Sequence, residues 1–442
     1  MSLEQAMQSK FFRKRDSNNT DTKSSTTSGT LPESPFRVQV PAQKDLALIR
    51  RLPAGGIEDQ SERLSSMVDK LSSLTFPFSN SPIITTDNEL PEAWNKVFKA
   101  IYEGDSEKAL DLLDDIPAND FILKPLLVVH SMSYLRRMVN YCVEAKSSGL
   151  KKVNSDLIYT PHTFEIVIKD LATSMLCDTN LCFSFGLPTH HAYENKGSGF
   201  CILNKTAVLL EHITQSNESP SHFLIIGLDV NRDNGLNKCL MDTASNQSIC
   251  HIDICDFRVY PEQDCEKINT ELGFEGESLR KGITKWEKNA LSYFAVDLAE
   301  VNRRKVEIHP ALIFALKKMV DSIEEAKSQG LKTFIFLPTG WDSHQDETAP
   351  CAKLINGETM IASSAEKARF SDSDLEYFND KLFTYVLENH DSVQGVYWGL
   401  EGGYEQKMYE NQIELMMSTV SKIFGPDIDD TPQQRRSKRH QH

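Results

Sequence analysis

The stretch THHAYENKGSGFCILNKTAVLL, residues 189–210, carries most of what this sequence predicts about its fold. It begins with a tandem histidine pair, His190 and His191, and continues into a glycine-containing run, GSGFC, at residues 197–201. Asn204 follows, and the apolar pattern after it predicts a helix. A histidine pair alone is more often a polar patch than a catalytic pair, so the rest of the chain must decide its interpretation.

Short apolar runs and helical segments alternate on both sides of this stretch. The predicted strands are residues 181–185, 223–228, 248–254, 291–298, 333–337 and 393–400, and the predicted helices cover 162–176, 203–214, 310–329, 374–389 and 407–424. Such alternation is typical of an α/β fold with a mostly parallel central sheet and helices on both faces. Ser373 and Glu376 have the spacing of a capping box at the start of one helix.

The composition predicts one large domain between polar tails. Residues 1–35 are rich in serine, threonine, asparagine and charge, so we expect a disordered polar and basic tail. Residues 36–90 are predicted to be a loosely ordered lead-in, residues 91–426 the folded domain, and residues 427–442 a second basic polar tail.

The charge of the chain restricts its possible partners. A formal net charge of −15 argues against nucleic-acid binding through the main domain, because phosphate would be repelled. Basic residues nevertheless cluster at both ends, where they are compatible with nuclear-import signals or with solvated tails. These residues are Lys10, Arg13, Lys14, Arg15, Arg435, Arg436, Lys438 and Arg439.

Cysteine spacing and hydropathy restrict which class of protein this chain belongs to. The nine cysteines are scattered and never spaced Cys-x-x-Cys, which indicates neither a zinc finger nor a disulfide framework. The sequence has no signal peptide and no long apolar stretch, so we expect an intracellular protein without a membrane span.

Polar motifs follow three of the predicted strands. They are GLDVNRDNG at residues 227–235, TGWDSHQD at residues 339–346, and LEGGY at residues 400–404. Ligands of parallel sheets bind beyond the carboxyl ends of the strands. We therefore expect Asp229, Asp342 and Tyr404 to converge with the histidine pair at one end of the sheet.

This order of motifs resembles the zinc-dependent histone deacetylases over about residues 125–425. Residues 189–210 match the family's His-His-Ala … Ser-Gly-Phe-Cys … Asn segment, and VHSMSYL at residues 129–135 resembles its early His-Ser…Tyr helix. The resemblance implies that the chain has the arginase/deacetylase fold and is similar to the class II members of the family.

The resemblance also implies site roles. In the family, zinc keeps positions open for water and the acyl carbonyl. His190 and His191 would transfer protons, Asp229 and Asp342 would be metal ligands, and Tyr404 would donate to the oxyanion. Residues that would line the substrate pocket are Gly199, Phe200, Trp341 and Gly403.

The metal-binding motif departs from the family pattern, Asp-x-Asp-x-His-His-Gly-(Asp/Asn)-Gly, at several positions. Asn231 replaces the histidine ligand, and a carboxamide is a weaker donor to zinc than imidazole. Gly227 replaces the aspartate that orients the first histidine, a loss that typically costs about 10–100-fold. Arg232 adds a positive charge that we expect to repel a cation. Asn234 matches the class II branch, and the family's glycine-rich loop is altered at residues 276–298.

The sequence therefore predicts a pseudo-deacetylase with a degenerate site of Asp229, Asn231 and Asp342, holding no cofactor or weakly bound zinc. We expect a nuclear binding, scaffold or regulatory subunit with some cytoplasmic presence. Its expected partners are chromatin-regulatory subunits or an active deacetylase paralogue with which it dimerises. The chromatin association rests on family analogy and the basic tails.

Two other interpretations stay open. One is an active metal-dependent hydrolase of acyl-lysine or a small acylated amine with an altered ligand set. The other is an arginase-like manganese site, because Asp229, Asn231 and Asp233 resemble the Asp-x-His-x-Asp motif of that family and offer oxygen donors.

Overall fold

The computed structural model describes residues 31–49, 60–86, 90–154, 156–217, 219–242, 247–261, 264–301, 306–353, 359–361 and 369–426. The predictions for residues 1–30 and 427–442 lie outside these ranges. Ordered structure begins earlier than the sequence predicts, because Ser34 is buried and its backbone N–H donates to Asn80 Oδ1 at 2.7 Å.

A large sheet organises the fold. In chain order the strands are β1 (Arg37–Val40), β2 (Ile83–Thr85), β3 (Lys151–Lys152), β4 (Ile158–Tyr159), β5 (Leu181–Ser184), β6 (Ser221–Gly227), β7 (Ser248–Cys255), β8 (Glu277–Arg280), β9 (Ile283–Lys288), β10 (Leu291–Asp297), β11 (Lys332–Thr339), β12 (Pro350–Lys353), β13 (Thr359–Ile361) and β14 (Val393–Leu400). Ten of them form one sheet in the order β2-β1-β5-β14-β11-β6-β7-β10-β9-β8.

Most neighbours in this sheet are parallel. All pairs from β2 to β10 run parallel, and only β9 and β8 are added antiparallel at one edge. The six predicted strands correspond to β5, β6, β7, β10, β11 and β14. The altered segment at residues 276–298 contains β8, β9 and β10, and β8 and β9 form the antiparallel edge beside β10.

Helices cover the sheet. They are α1 (Gln43–Leu46), α2 (Gln60–Ser73), α3 (Glu92–Glu103), α4 (Ser106–Asp114), α5 (Leu123–Val129), α6 (Met132–Ser148), α7 (Thr163–Met175), α8 (Lys205–Ser216), α9 (Asn234–Asp242), α10 (Cys265–Leu272), α11 (Pro310–Ser328), α12 (Asp372–Glu388) and α13 (Gln406–Phe424). No helix in the described ranges has both the length and the apolar character needed to cross a membrane.

Strand β6 shows why both sheet faces need covering. Its side chains alternate between faces, as in any strand, and all of them are buried. Leu224 and Ile226 pack in the core with α2, α11, α12 and α13, whereas Phe223 and Ile225 pack in a second core with α3 to α8. The mostly parallel α/β prediction, with helices on both faces, is therefore confirmed.

The capping box of α12 differs from the prediction. Ser371 is the N-cap residue, and its side chain and that of Asp374 bond reciprocally to each other's backbone. The predicted pair, Ser373 and Glu376, has the same spacing but lies inside the helix. Asp374 also accepts a hydrogen bond from His309 N at 2.8 Å, which ties the start of α12 to the start of α11.

The predicted lead-in is more structured than its sequence indicates. Strand β1 lies inside the sheet, between β2 and β5. Helix α2 packs against α13, and Arg63 within it is fully buried. This part of residues 36–90 therefore belongs to the core of the domain.

Candidate functional site

The site lies where the central strands of the sheet end. Strands β5, β14, β11, β6 and β7 are consecutive neighbours, so the loops after their carboxyl ends meet. These loops and a short 3-10 turn at Trp341–Ser343 bring together five buried polar side chains. They are His190, His191, Asp229, Asp342 and Glu401.

Two glycines, Gly340 and Gly402, lie directly against the carboxylates of Asp229 and Asp342. A Cβ at Gly340 would lie 1.8 Å from Asp229 Oδ2, and one at Gly402 would lie 1.9 Å from Asp342 Oδ2. Asp229 Oδ2 accepts a hydrogen bond from Gly402 N at 2.8 Å. Both positions therefore require glycine, because any side chain would displace a carboxylate.

The two carboxyl groups have raised pKa values. Burial raises the pKa of Asp229 to about 6, against the opposing charge of His190. Burial and the nearby charge of Asp229 raise the pKa of Asp342 to about 8. A cation held between the two groups would lower both values, since it favours the ionised forms.

The third donor position does not supply what zinc prefers. Asn231 occupies it, and its side-chain amide donates to the backbone oxygen of Tyr260 at 2.8 Å. Two clusters of at least three histidine, cysteine or acidic ligands occur among the described residues, and neither includes Asp229 or Asp342. The donors that accompany this aspartate pair therefore do not fit a zinc ion, which favours imidazole nitrogen or thiolate.

His190 has a carboxylate partner after all. Its Nδ1 lies 2.7 Å from Asp233 Oδ1, and Asp233 Oδ2 lies 3.0 Å from His251 Nε2. The expectation that Gly227 leaves His190 without such a partner is therefore wrong. The sequence contained the signal, because Asp233 is an acid where the family pattern has glycine.

The two histidines have opposite electrostatic surroundings. Burial lowers the pKa of His190, but Asp229 and Glu401 outweigh it and raise the value to about 10. Burial and the charge of His190 hold the pKa of His191 well below its ordinary value. His191 Nδ1 lies 2.5 Å from Asn234 Oδ1. A charged and a neutral imidazole side by side can serve as acid and base.

Arg232 is paired rather than directed at a cation. Its guanidinium is buried and forms an ion pair with Glu271 of α10. The charge of Arg232 is therefore compensated by a carboxylate, and the expected repulsion of a cation stays a prediction.

Tyr404 is held by an arginine that the sequence did not reveal. Its ring lies 4.8 Å from the guanidinium of Arg63, and its backbone N–H donates to Glu347 Oε2 at 2.6 Å. Arg63 Nη2 also donates to the backbone oxygens of Glu401 and Gly402, at 2.6 and 2.8 Å. An arginine on an amphipathic helix gives no local signal of this role. The oxyanion role of Tyr404 stays a prediction.

The loop of residues 197–201 and Tyr260 surround His191. Gly199 has φ +49°, and a Cβ there would lie 2.4 Å from His191 Cδ2, so glycine is needed. Phe200 follows with φ +69°. The Tyr260 ring meets His191 edge-on at 5.1 Å, and its hydroxyl shares a 2.6 Å hydrogen bond with Ser198 Oγ. Tyr260 was missed, although a Tyr-Pro pair after β7 could have marked it.

Two residues predicted to line the pocket, Trp341 and Gly403, pack against each other. Trp341 is buried and packs against Phe185 and Trp398, with ring centroids 6.2 and 5.4 Å apart. A Cβ at Gly403 would lie 2.9 Å from Trp341 Cβ. Their pocket-lining role stays a prediction.

The helix motif at residues 129–135 supports the histidine loop. His130 Nε2 accepts a hydrogen bond from Asn204 N at 2.9 Å, and Asn204 Nδ2 donates to Ala192 O at 3.1 Å. The Tyr134 hydroxyl donates to Ile202 O at 2.8 Å. Together these contacts fix both ends of the segment that carries His191.

Known proteins share this architecture. The crystal structure of the HDA15 HD domain superposes with a TM-score of 0.56 at 12% identity, over 89% of this chain and 91% of that one. Acetylpolyamine aminohydrolase from Burkholderia pseudomallei gives a TM-score of 0.54 at 13% identity, over 88% of this chain and 99% of that one. At these identities the likeness shows the fold alone.

Sequence comparison is more specific. A probable deacetylase from Methanothermobacter thermautotrophicus is 29% identical over 116 residues, which is 25% of this chain. The match spans about a third of that relative's length, 34%. The model of the histone deacetylase domain family matches residues 90–420, which include every residue of the tandem histidine, aspartate and Gly-Gly-Tyr motifs. The chain therefore belongs to the histone deacetylase domain family.

Proposed function

We propose that this protein is a pseudo-deacetylase, which retains the acyl-amine pocket of its family and acts as a binding, scaffold or regulatory subunit. The observation that carries the proposal is the third donor position. Deacetylases of this family generally use zinc, whereas Asn231 offers a carboxamide whose N–H₂ group donates to Tyr260 O. The site then has two carboxylates and no imidazole ligand for zinc.

The buried polar groups around the histidine pair support the binding role. His190 and His191 are buried side by side, with ring centroids 3.8 Å apart, and each has a polar partner. The Glu401 carboxylate accepts hydrogen bonds from Thr189 N and Oγ1 at 2.5 and 2.7 Å, which ties β14 to the histidine loop. Such a set of buried polar groups with fixed hydrogen bonds, next to the Tyr260 ring, suits the amide of an acylated amine.

One observation favours a second candidate, an active metal-dependent hydrolase of acyl-lysine or a small acylated amine. Asp233 gives His190 the carboxylate partner that the motif seemed to lack, so the histidine pair is fully supported. Oxygen-rich ligands suit a harder ion such as Mn²⁺ or Mg²⁺. This candidate would use Asp229, Asp342 and the oxygen of Asn231.

Partners and localisation follow from the first candidate as proposals. We propose that the subunit is nuclear, with some cytoplasmic presence, and binds chromatin-regulatory proteins or an active deacetylase paralogue. Affinity purification from nuclear and cytoplasmic fractions tests both points. Recovery from cytoplasm alone, without such partners, would contradict them.

The deciding experiment measures metal, binding and turnover on one sample of the purified full chain. We expect substoichiometric zinc by elemental analysis, measurable binding of an acetyl-lysine peptide by calorimetry, and no metal-dependent hydrolysis. Phe200→Ala, at the predicted pocket wall, should weaken peptide binding, whereas the exposed Leu387→Ala should not. Hydrolysis that requires Mn²⁺ or Zn²⁺ and is abolished by Asp342→Ala would favour the second candidate.

A further inference from the structure

We propose that Asp233 is the positioning residue of His190, and that it replaces, from a different place in the chain, the carboxylate that the family supplies at position 227. The inference deepens the proposed function, since it concerns the same pocket. It rests on which atoms occupy the space beside His190.

Positions 227 and 233 compete for that space. A Cβ at Gly227 would lie 2.3 Å from Asp233 Oδ2 and 3.0 Å from Asp233 Cγ. Two carboxylates cannot fit there, because packed interiors leave no such room. An aspartate at 233 therefore requires glycine at 227, and the two departures from the family motif form one exchange.

Asp233 is held firmly enough to orient an imidazole. Its backbone N–H donates to Asp253 Oδ2 at 3.1 Å, and its Oδ2 lies 3.0 Å from His251 Nε2. Asp253 is the register partner of Gly227 in the neighbouring strand, and Tyr293 OH donates to the same Asp253 oxygen at 2.9 Å. All of these side chains are buried, so the carboxylate has fixed neighbours on both oxygens.

The exchange changes how the histidine pair is supported. Asp233 and Asn234 are consecutive, and they contact the consecutive His190 and His191 at 2.7 and 2.5 Å. Asp233, immediately before α9, and Asn234, its first residue, thus orient both rings. With Nδ1 of His190 bound to Asp233, its Nε2 faces Asp229 at 3.9 Å and is the atom that can exchange a proton within the site.

The test exchanges the two residues back. The variants are Asp233→Gly, Gly227→Asp and the double variant Gly227→Asp/Asp233→Gly, with Gly227→Ala as a smaller steric probe. The readout is the hydrogen-bonded Nδ1 proton of His190 in ¹⁵N-histidine-labelled protein, assigned by its loss in His190→Gln. Thermal unfolding is followed alongside.

We expect the signal in the natural chain, its loss in Asp233→Gly and its return in the double variant. Gly227→Ala should lower the unfolding temperature in the natural chain and be tolerated in the Asp233→Gly background. Asn234→Ala, the matched control, should leave the His190 signal in place. Persistence of the signal in Asp233→Gly would overturn the proposal, as would equal effects of Gly227→Ala in both backgrounds.

This outcome is independent of whether the protein is an enzyme. The readout uses neither bound metal nor turnover. Discovery of metal-dependent hydrolysis would overturn the pseudo-deacetylase proposal and leave the positioning of His190 by Asp233 standing. Persistence of the His190 signal in Asp233→Gly would overturn the positioning by Asp233 and leave the pseudo-deacetylase proposal standing.

Discussion

The side-chain amide of Asn231 donates a hydrogen bond to the backbone oxygen of Tyr260 across 2.8 Å. The residue at the third donor position is thus bonded to the backbone of the residue whose ring meets His191. A histidine at 231 would offer one ring nitrogen to a metal and could replace this amide contact only through the N–H of its other ring nitrogen. The contact therefore links the altered donor position to the tyrosine beside His191.

Asn231→His should raise zinc affinity by at least about 10-fold, the lower end of what changes around a metal site produce. The reason is the added nitrogen donor beside Asp229 and Asp342. Competition with a chromophoric zinc chelator measures the change, and Asn231→Gln, which adds no nitrogen ligand, is the control. Equal affinities in the two variants would contradict the donor-set argument.

Restoring the family residues at positions 227 and 231 should destabilise the protein unless Asp233 is also changed. Gly227→Asp alone places a second carboxylate in occupied space, because a Cβ at 227 would lie 2.3 Å from Asp233 Oδ2. Asn231→His/Gly227→Asp should therefore unfold at a lower temperature than Asn231→His/Gly227→Asp/Asp233→Gly. Calorimetric unfolding in the presence of chelator compares them. A double variant as stable as the triple one would show that the site has room for both carboxylates.

Asp342→Asn should stabilise the protein at pH 8. The pKa of Asp342 rises from 3.8 to about 8, chiefly through burial, so the folded protein holds a proton that the unfolded chain has lost between these values. Stability contributed by this group therefore falls as the pH rises from about 4 to 8. An asparagine cannot ionise, so the variant should gain on the order of 2–5 kcal/mol at pH 8 and little at pH 4.

Urea unfolding at several pH values measures this effect, with the exposed Asp321→Asn as a control. If Asp342→Asn were less stable than the natural chain at pH 8, and a chelator lowered the stability of the natural chain to that of the variant, the result would indicate a tightly bound cation instead. The same series thus bears on the choice between the two candidate functions.

Arg63→Met should destabilise the domain although its helix lies outside the part matched to the family. The change leaves the backbone oxygen of Glu401 without its donor, at about 1–3 kcal/mol for a buried group. The backbone oxygen of Gly402 loses one of two donors and keeps Trp341 N at 3.1 Å. Lys70→Ala, in the same helix with an exposed partner at Glu414, is the control and should cost little. Equal unfolding free energies for the two variants would mean that α2 is peripheral.

Glu271→Leu should be more harmful than removal of both partners of its ion pair. The single change removes the carboxylate that pairs with the buried Arg232 guanidinium and leaves only the charge of Asp253 nearby, so we expect a loss of about 3 kcal/mol, the lower end for a broken buried ion pair. The double variant Arg232→Leu/Glu271→Leu removes the charge as well and should recover part of the loss. Chemical unfolding compares the free energies of unfolding of the two variants with that of the natural chain. A double variant no more stable than Glu271→Leu would show that Arg232 is not stabilised by Glu271.

The sequence by itself determined the layers of the fold and the location of the site. Strand and helix positions follow from the local spacing of apolar residues, which is why β6, β7, β11 and β14 were predicted close to their observed bounds. The motifs after those strands were expected to meet because parallel strands end at the same edge. The family match over residues 90–420 agrees with the resemblance that the motifs carry.

Only the tertiary structure decided how the site is supported. Asp233 reaches His190 because the missing Cβ of Gly227 leaves space that a residue from the following turn fills. Arg63 reaches Glu401 O from a helix 338 positions away, and Arg232 finds Glu271 on α10. Motif spacing shows which residue types are present, but the direction of a side chain on a turn depends on neighbours that are distant in the chain. The orientation of the histidine pair was therefore set by packing that no local pattern records.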